Sequence, residues 1–132
     1  MIWMPIQIQI DSGIQNGTEI CFSVTETSAV GKIIPAGKMI TDSEKMTFVY
    51  LLDEEEEYGY IHFPQAVWPL MVDALKEDKD PVISYNDERL PLIGFVEELT
   101  MLIYNIEGND NYGTKFSTAV EKTFAEILTS SE

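Results

Sequence analysis

The side chains that could do chemistry in this sequence are one histidine, one cysteine, a few clusters of acids and amides, and a small group of lysines. His62 lies in LLDEEEEYGYIHF, residues 51–63, where five consecutive acids (Asp53, Glu54, Glu55, Glu56 and Glu57) precede Tyr58, Tyr60 and the imidazole. With one histidine and one cysteine in the chain, a transition-metal centre would have to rest on carboxylates beside a lone imidazole. A serine–histidine–acid arrangement is available in composition, yet G-x-S-x-G occurs nowhere, so no nucleophile elbow supports it. Cys21 alternates to the face opposite Ile20, Phe22 and Val24 of a predicted strand. No basic or histidine side chain stands near it in sequence to lower its pKa, and it reads as a quiet thiol.

Glu97 and Glu98 follow Gly94 at the start of a helical pattern. Paired carboxylates can share general acid–base work, but a helix start favours acids on its own account, by about 0.3–1 kcal/mol each. They read as helix-start residues. NIEGNDNYG, residues 105–113, invites comparison with a calcium loop. Placing Glu107 in the first ligand position puts Tyr112 where the obligatory glycine belongs and Thr118 where the bidentate glutamate belongs. The match fails, and Asn109, Asp110, Asn111 and Tyr112 read as turn residues joining two helices, with contact to an anion or peptide as their remaining use. Lys32, Lys38 and Lys45 place three of the eight basic residues in one connection and could clamp a small anion. No residue is assigned a catalytic or metal-ligating role, and no cofactor is expected.

Charge selects the class of partner. Eight basic residues against 23 acidic ones give the 132-residue chain a net charge of −15 and a pI near 4.2. That field repels phosphate backbones and anionic lipid, so direct binding to nucleic acid or membrane is disfavoured. A basic protein partner is the expected complement, with Asp53 to Glu57, Tyr58 and Tyr60 as the contact, because aromatics among acids suit such an interface. The leading reading is a non-enzymatic acidic protein that acts by binding. Two alternatives stay open. One is a nucleic-acid mimic or immunity-type inhibitor of a basic enzyme; the other is a small enzyme or ligand-binding domain with a pocket near His62 or the Lys32/Lys38/Lys45 loop.

The elements that must position these groups follow from periodicity. Ile6, Ile8 and Ile10 alternate with Gln7 and Gln9, a half-buried strand whose edge over residues 4–10 could pair with a second copy. Asn16-Gly17 predicts a hairpin turn into a return strand over Thr18 to Val24. Residues 25–45 read as a long connection, with a short strand near Ile33-Ile34. Met46 to Leu52, apolar on both faces, reads as a central strand, and Tyr58 to Phe63 returns antiparallel beyond the acids. Pro64 opens a helix carrying Val67, Leu70, Met71, Ala74 and Leu75, with Pro69 marking its start or distorting its first turn. Pro81 to Tyr85 and Arg89 to Ile93 form a second hairpin. Phe95 to Ile106 and Phe116 to Leu128 have helical spacing, the first stopped by Gly108, before a frayed tail at 129–132. The order predicts one α+β domain over residues 1–132. It has a mainly antiparallel sheet of about five to seven strands and three helices on one face, two of them C-terminal over about 94–128. MIWMPIQIQIDSG lacks the basic and continuous apolar regions of a signal peptide, and no apolar run is long enough to span a bilayer, so a cytoplasmic protein is expected.

Several stretches are also familiar. Gly94-Phe95-Val96-Glu97-Glu98-Leu99, Leu102-Ile103, Asn105-Ile106-Glu107-Gly108-Asn109, Asn111-Tyr112-Gly113 and Ala119-Val120-Glu121 with Phe124 resemble a small uncharacterised family of Bacillus-type Gram-positive bacteria. Gly37-Lys38-Met39-Ile40-Thr41-Asp42-Ser43 and Phe48-Val49-Tyr50-Leu51-Leu52 look like its middle section. The resemblance covers residues 36–125 and fits residues 1–30 poorly. It implies a cytoplasmic bacterial protein and brings no activity, cofactor or site residue with it.

Overall fold

The alternating segments pair into two sheets where one was expected. The computed structural model describes residues 7–24, 34–53, 58–85 and 88–130. Among these, the elements follow in the order β1 (Gln7–Gln9), β2 (Ser12–Asn16), β3 (Glu19–Ser23), β4 (Pro35–Asp42), β5 (Thr47–Asp53), β6 (Tyr58–Pro64), α1 (Trp68–Glu77), β7 (Val82–Tyr85), β8 (Glu88–Pro91), α2 (Phe95–Ile106), α3 (Thr114–Thr123) and α4 (Ala125–Ser130). The first sheet has the order β1–β6–β5–β4 and the second β2–β3–β7–β8. β1 runs parallel to β6 and β3 parallel to β7, while the other four pairings are antiparallel. The class is therefore α+β and mainly antiparallel, as the sequence predicts, with the strands divided between two sheets. None of the described helices is long and apolar enough to cross a membrane.

The division happens at Ile10–Asp11. The Ile10 amide donates to the His62 carbonyl at 3.0 Å, the last link to the first sheet; the Asp11 amide donates to the Ser23 carbonyl at 3.0 Å, the first link to the second. The isoleucine-rich start therefore bridges two sheets and is not one arm of a hairpin. The hairpin at Asn16-Gly17 joins β2 to β3, with Asn16 opposite Glu19 and Gly17 at φ +60. β1 does lie at a sheet edge, although residues 4–6 of the expected dimerising strand fall outside the described residues.

β4 replaces what reads in sequence as a connection. Its register breaks between Pro35, opposite Leu52, and Met39, opposite Tyr50, so four steps on β4 face two on β5. Pro35 and Gly37, which suggest a loop, are the residues of this bulge. β5 is buried from Thr47 to Leu52, and its hairpin with β6 sets Asp53 opposite Tyr58, close to expectation. α1 starts at Trp68 with Pro69 in its first turn, where no amide partner is needed, so the helix is not distorted there. The expected final helix is two: Phe124, at φ −100 and ψ 18, separates α3 from α4. Its ring enters a cluster with Phe48 and Trp68 at centroid distances of 5.8 and 6.2 Å. Phe95 anchors a second cluster, 5.5 Å from Phe63 and 6.2 Å from Phe22, which ties α2 to both sheets. Burying each such ring contributes about 1.5–3 kcal/mol.

One joint fixes α2 against the bulge. The buried Tyr50 hydroxyl donates to the Ile93 carbonyl at 2.6 Å and accepts from the Gly37 amide at 3.2 Å. Glu98 accepts from the Met39 amide at 3.1 Å, so the carboxylate read as a helix-start residue also holds the bulge. The start of α2 is capped from elsewhere in the chain: Asp80 accepts from the Gly94 amide at 3.1 Å and the Val96 amide at 2.9 Å. Gly94, at φ +74, comes so close to β4 that a Cβ would lie 3.1 Å from the Gly37 carbonyl oxygen. Burial pushes the Tyr50 phenol up to about 12, helped by the charges of Asp80 and Glu98 and opposed by the Gly37 hydrogen bond, so it remains a donor.

Two stability measurements check this joint. Tyr50→Phe strands the Gly37 amide and the Ile93 carbonyl and should lower the urea unfolding free energy by about 1–3 kcal/mol. Gly94→Ala should cost clearly more than Gly108→Ala. Both positions have left-handed φ, +74 and +68, but only at Gly94 does a Cβ meet another backbone.

Candidate functional site

Strand alternation places His62 on the face of the first sheet that points away from Phe48 and Tyr50. In register there, Gln9 lies beside His62, His62 beside Val49, and Val49 beside Ile40; the neighbouring row runs Gln7, Tyr60, Leu51. The β4–β5 turn adds a cation. Asp42 accepts the Lys45 amide at 3.2 Å, three residues on, and Met46 adopts φ 57 before the chain enters β5. The result is a groove of two adjoining hollows, of about 500 and 830 Å³, which share Gln7, Lys45 and His62. Ile40, Val49, Tyr60, Asp42 and Glu44 line the first; Thr47, Gln9, Asp11 and Pro64 line the second.

The groove has a definite electrostatic character. His62 Nε2 lies 2.5 Å from Gln7 Oε1, which assigns the proton to Nε2 and leaves Nδ1 as an acceptor. Burial first, and then the Lys45 ammonium, hold the imidazole below its usual 6.5, with Asp42 opposing, so it is neutral at physiological pH. Lys45 makes no ion pair among the described residues, where the pairs are Lys76–Glu126 and Arg89–Glu19. Thr47 is only 7% exposed, and its Oγ1 has no hydrogen-bond partner. A neutral imidazole and an unpaired ammonium can together bind a polar group, in a hollow whose lining also includes Thr47. Among the described residues no three His, Cys, Asp or Glu gather to hold a metal ion.

The other residues singled out in sequence have separate positions. Asp53 is exposed at the end of β5 and Tyr60 is half-buried in the groove, while Glu54 to Glu57 fall outside the described residues. Of the lysines, Lys45 joins His62, Lys38 is exposed on β4, and Lys32 is outside the described residues. Asn109 closes its own loop, accepting from the Asn111 amide at 3.0 Å and donating to the Asn105 carbonyl at 3.2 Å. Asp110 to Tyr112 form a single helical turn, and the Tyr112 ring sits 6.5 Å from Phe116. The Cys21 thiol is pushed up by burial, in keeping with a quiet side chain.

A second concavity lies where α1 ends and α2 begins. Asp78, Asp80 and Glu97 surround Val96, Thr100 and Met101 in a hollow of about 560 Å³, which contains no basic residue among those lining it. Met101 is 50% exposed and Ile93, just before α2, 52%. The sequence carried a signal here that periodicity alone does not use, since Met101 stands off the buried stripe of Phe95, Leu99, Ile103 and Ile106.

Comparison with known proteins places the chain. The profile of UPF0738, a family of unknown function, matches residues 8–124. A UPF0738 protein of Lysinibacillus sphaericus is 44% identical over 110 residues, covering 83% of this chain and 87% of that protein. One from Staphylococcus epidermidis is 42% identical over 104 residues, 79% of this chain and 84% of its own length. One from Bacillus cytotoxicus is 34% identical over 119 residues, 90% of this chain and 96% of its own. No solved structure gives a significant match. The chain belongs to the UPF0738 family, and the match reaches back to residue 8, well into the N-terminal part that resembled the family poorly.

His62, the chain's one imidazole, should titrate below 6.5 by nuclear magnetic resonance. Lys45→Met should raise its value and Asp42→Asn lower it further, as their charges require. Because folding depresses this pKa, the associated stability is present above about 6.5 and is lost as pH falls through the folded-state value.

Proposed function

We propose that this member of the UPF0738 family is a non-enzymatic cytoplasmic protein that acts by binding a basic protein partner. The hollow at the start of α2 carries the reading. Asp80 spends both oxygens on the Gly94 and Val96 amides, which leaves Asp78 and Glu97 as exposed charges beside the half-exposed Met101. An apolar patch rimmed by acids suits an amphipathic segment that sets an apolar side chain against Met101 and its Lys or Arg against the rim. The net charge of −15 adds long-range attraction for such a partner, felt over about 10 Å at 0.1 M salt. This hollow is separate from the acidic hairpin, whose Asp53, Tyr58 and Tyr60 are among the described residues while Glu54 to Glu57 are not.

A photo-reactive residue in place of Met101 tests the reading in cells. The adduct should be a protein with a basic, amphipathic docking segment, and its yield should fall when Asp78→Lys and Glu97→Lys are combined. With the partner purified, that double reversal should weaken binding by about tenfold or more, and raising salt should weaken the wild-type complex. Adducts only with acidic proteins, or an affinity that ignores both salt and charge reversal, would rule the proposal out.

A further inference from the structure

We propose that the His62 groove is a binding site for a small amphiphilic monocarboxylate, its head held by Lys45, Thr47 and His62 and its apolar body lying over Ile40, Val49 and Tyr60. The site lies on the face of the first sheet opposite the one that receives α2, so it is independent of the protein-binding surface. Three observations meet there. The Lys45 ammonium has no ion-pair partner among the described residues, in a chain with 23 acids. Thr47 lines the same hollow as Lys45 and His62, and its hydroxyl has neither a partner nor exposed surface, so a head group reaches it only by opening the wall there; leaving a buried polar atom unpaired is costly, which favours that contact. The adjoining hollow, of about 500 Å³, has Ile40, Val49 and Tyr60 along its wall, a size that suits a small organic molecule.

Charge restricts the head group. The titratable groups facing His62 are Lys45, Asp42 and Glu44 from the β4–β5 turn, Asp11 from the bend between β1 and β2, and Tyr60 on β6. With the carboxylates of Asp42 and Glu44 close by and −15 on the whole chain, the one ammonium among the described residues there can hold a single negative charge, whereas a phosphate dianion is repelled. A carboxylate beside the ring would also favour imidazolium, so binding should take up a proton at His62 and strengthen as pH falls towards 6.

The sole histidine makes the test direct. Ring resonances of His62 in the full chain are followed while hexanoate, acetate, hexanol and inorganic phosphate are added separately. Hexanoate should give saturable shifts and raise the His62 pKa. Acetate should bind more weakly, and hexanol and phosphate should leave the ring unchanged. Lys45→Met should weaken hexanoate by about tenfold or more. Thr47→Val separates a ligand role from a structural one. Removing an unsatisfied hydroxyl should leave the free protein as stable or raise its melting temperature, yet weaken hexanoate binding. No saturable shift with hexanoate, equal binding of hexanol, acetate or phosphate, or unchanged affinity in Thr47→Val would each overturn the proposal.

Discussion

Tyr50 belongs to β5, yet its hydroxyl serves two other backbones, the Gly37 amide in the bulge of β4 and the Ile93 carbonyl just before α2. The orientation of α2 depends on that pair of bonds. Gly94 can lie against the Gly37 backbone only because it has no side chain, and Asp80 then caps the helix that begins there. Phe95, the first residue of α2, reaches Phe63 and Phe22 from this position and so brings both sheets onto one helix. Segments far apart in the chain, Gly37 to Met39, Tyr50 and Ile93 to Glu98, meet at this joint.

The same arrangement shows what the sequence could and could not reveal. β5, its hairpin with β6, α1, the hairpin of β7 and β8, and α2 were legible because each rests on local periodicity and turn chemistry. β4 was hidden by Pro35 and Gly37, loop-like residues whose bulge is made tolerable by distant partners, the Tyr50 hydroxyl and the Glu98 carboxylate. The split at Phe124 was equally hidden, since no glycine or proline marks it; only the tertiary aromatic cluster explains it. The two-sheet division depends on which carbonyl receives the Ile10 and Asp11 amides, and one-dimensional patterns do not contain that information.

The groove was partly legible. His62 and the lysine-bearing connection stood out separately as unusual residues, and the turn after β4 brings Lys45 to His62. Thr47 carries no signal in sequence, because a threonine inside a strand is ordinary and only the fold buries its hydroxyl without a partner. The acid-rimmed hollow at α2 shows a different limit. The total charge identified a class of partner, but the location of an apolar patch among the acids required the placement of Met101.

The bridge at Ile10–Asp11 also bears on how the chain is made. β1 waits for β6, some fifty residues later, and β3 waits for β7, some sixty residues later, before either finds its parallel neighbour. During synthesis the β2–β3 hairpin emerges early, with Ile20 and Phe22 lacking the helix and strand that later bury them. Completion of one sheet constrains the other through two consecutive amides, so the two sheets should assemble as a single cooperative event and not as independent units. A high density of negative charge is useful over that interval, because like-charged nascent chains repel one another while their apolar strands are still uncovered.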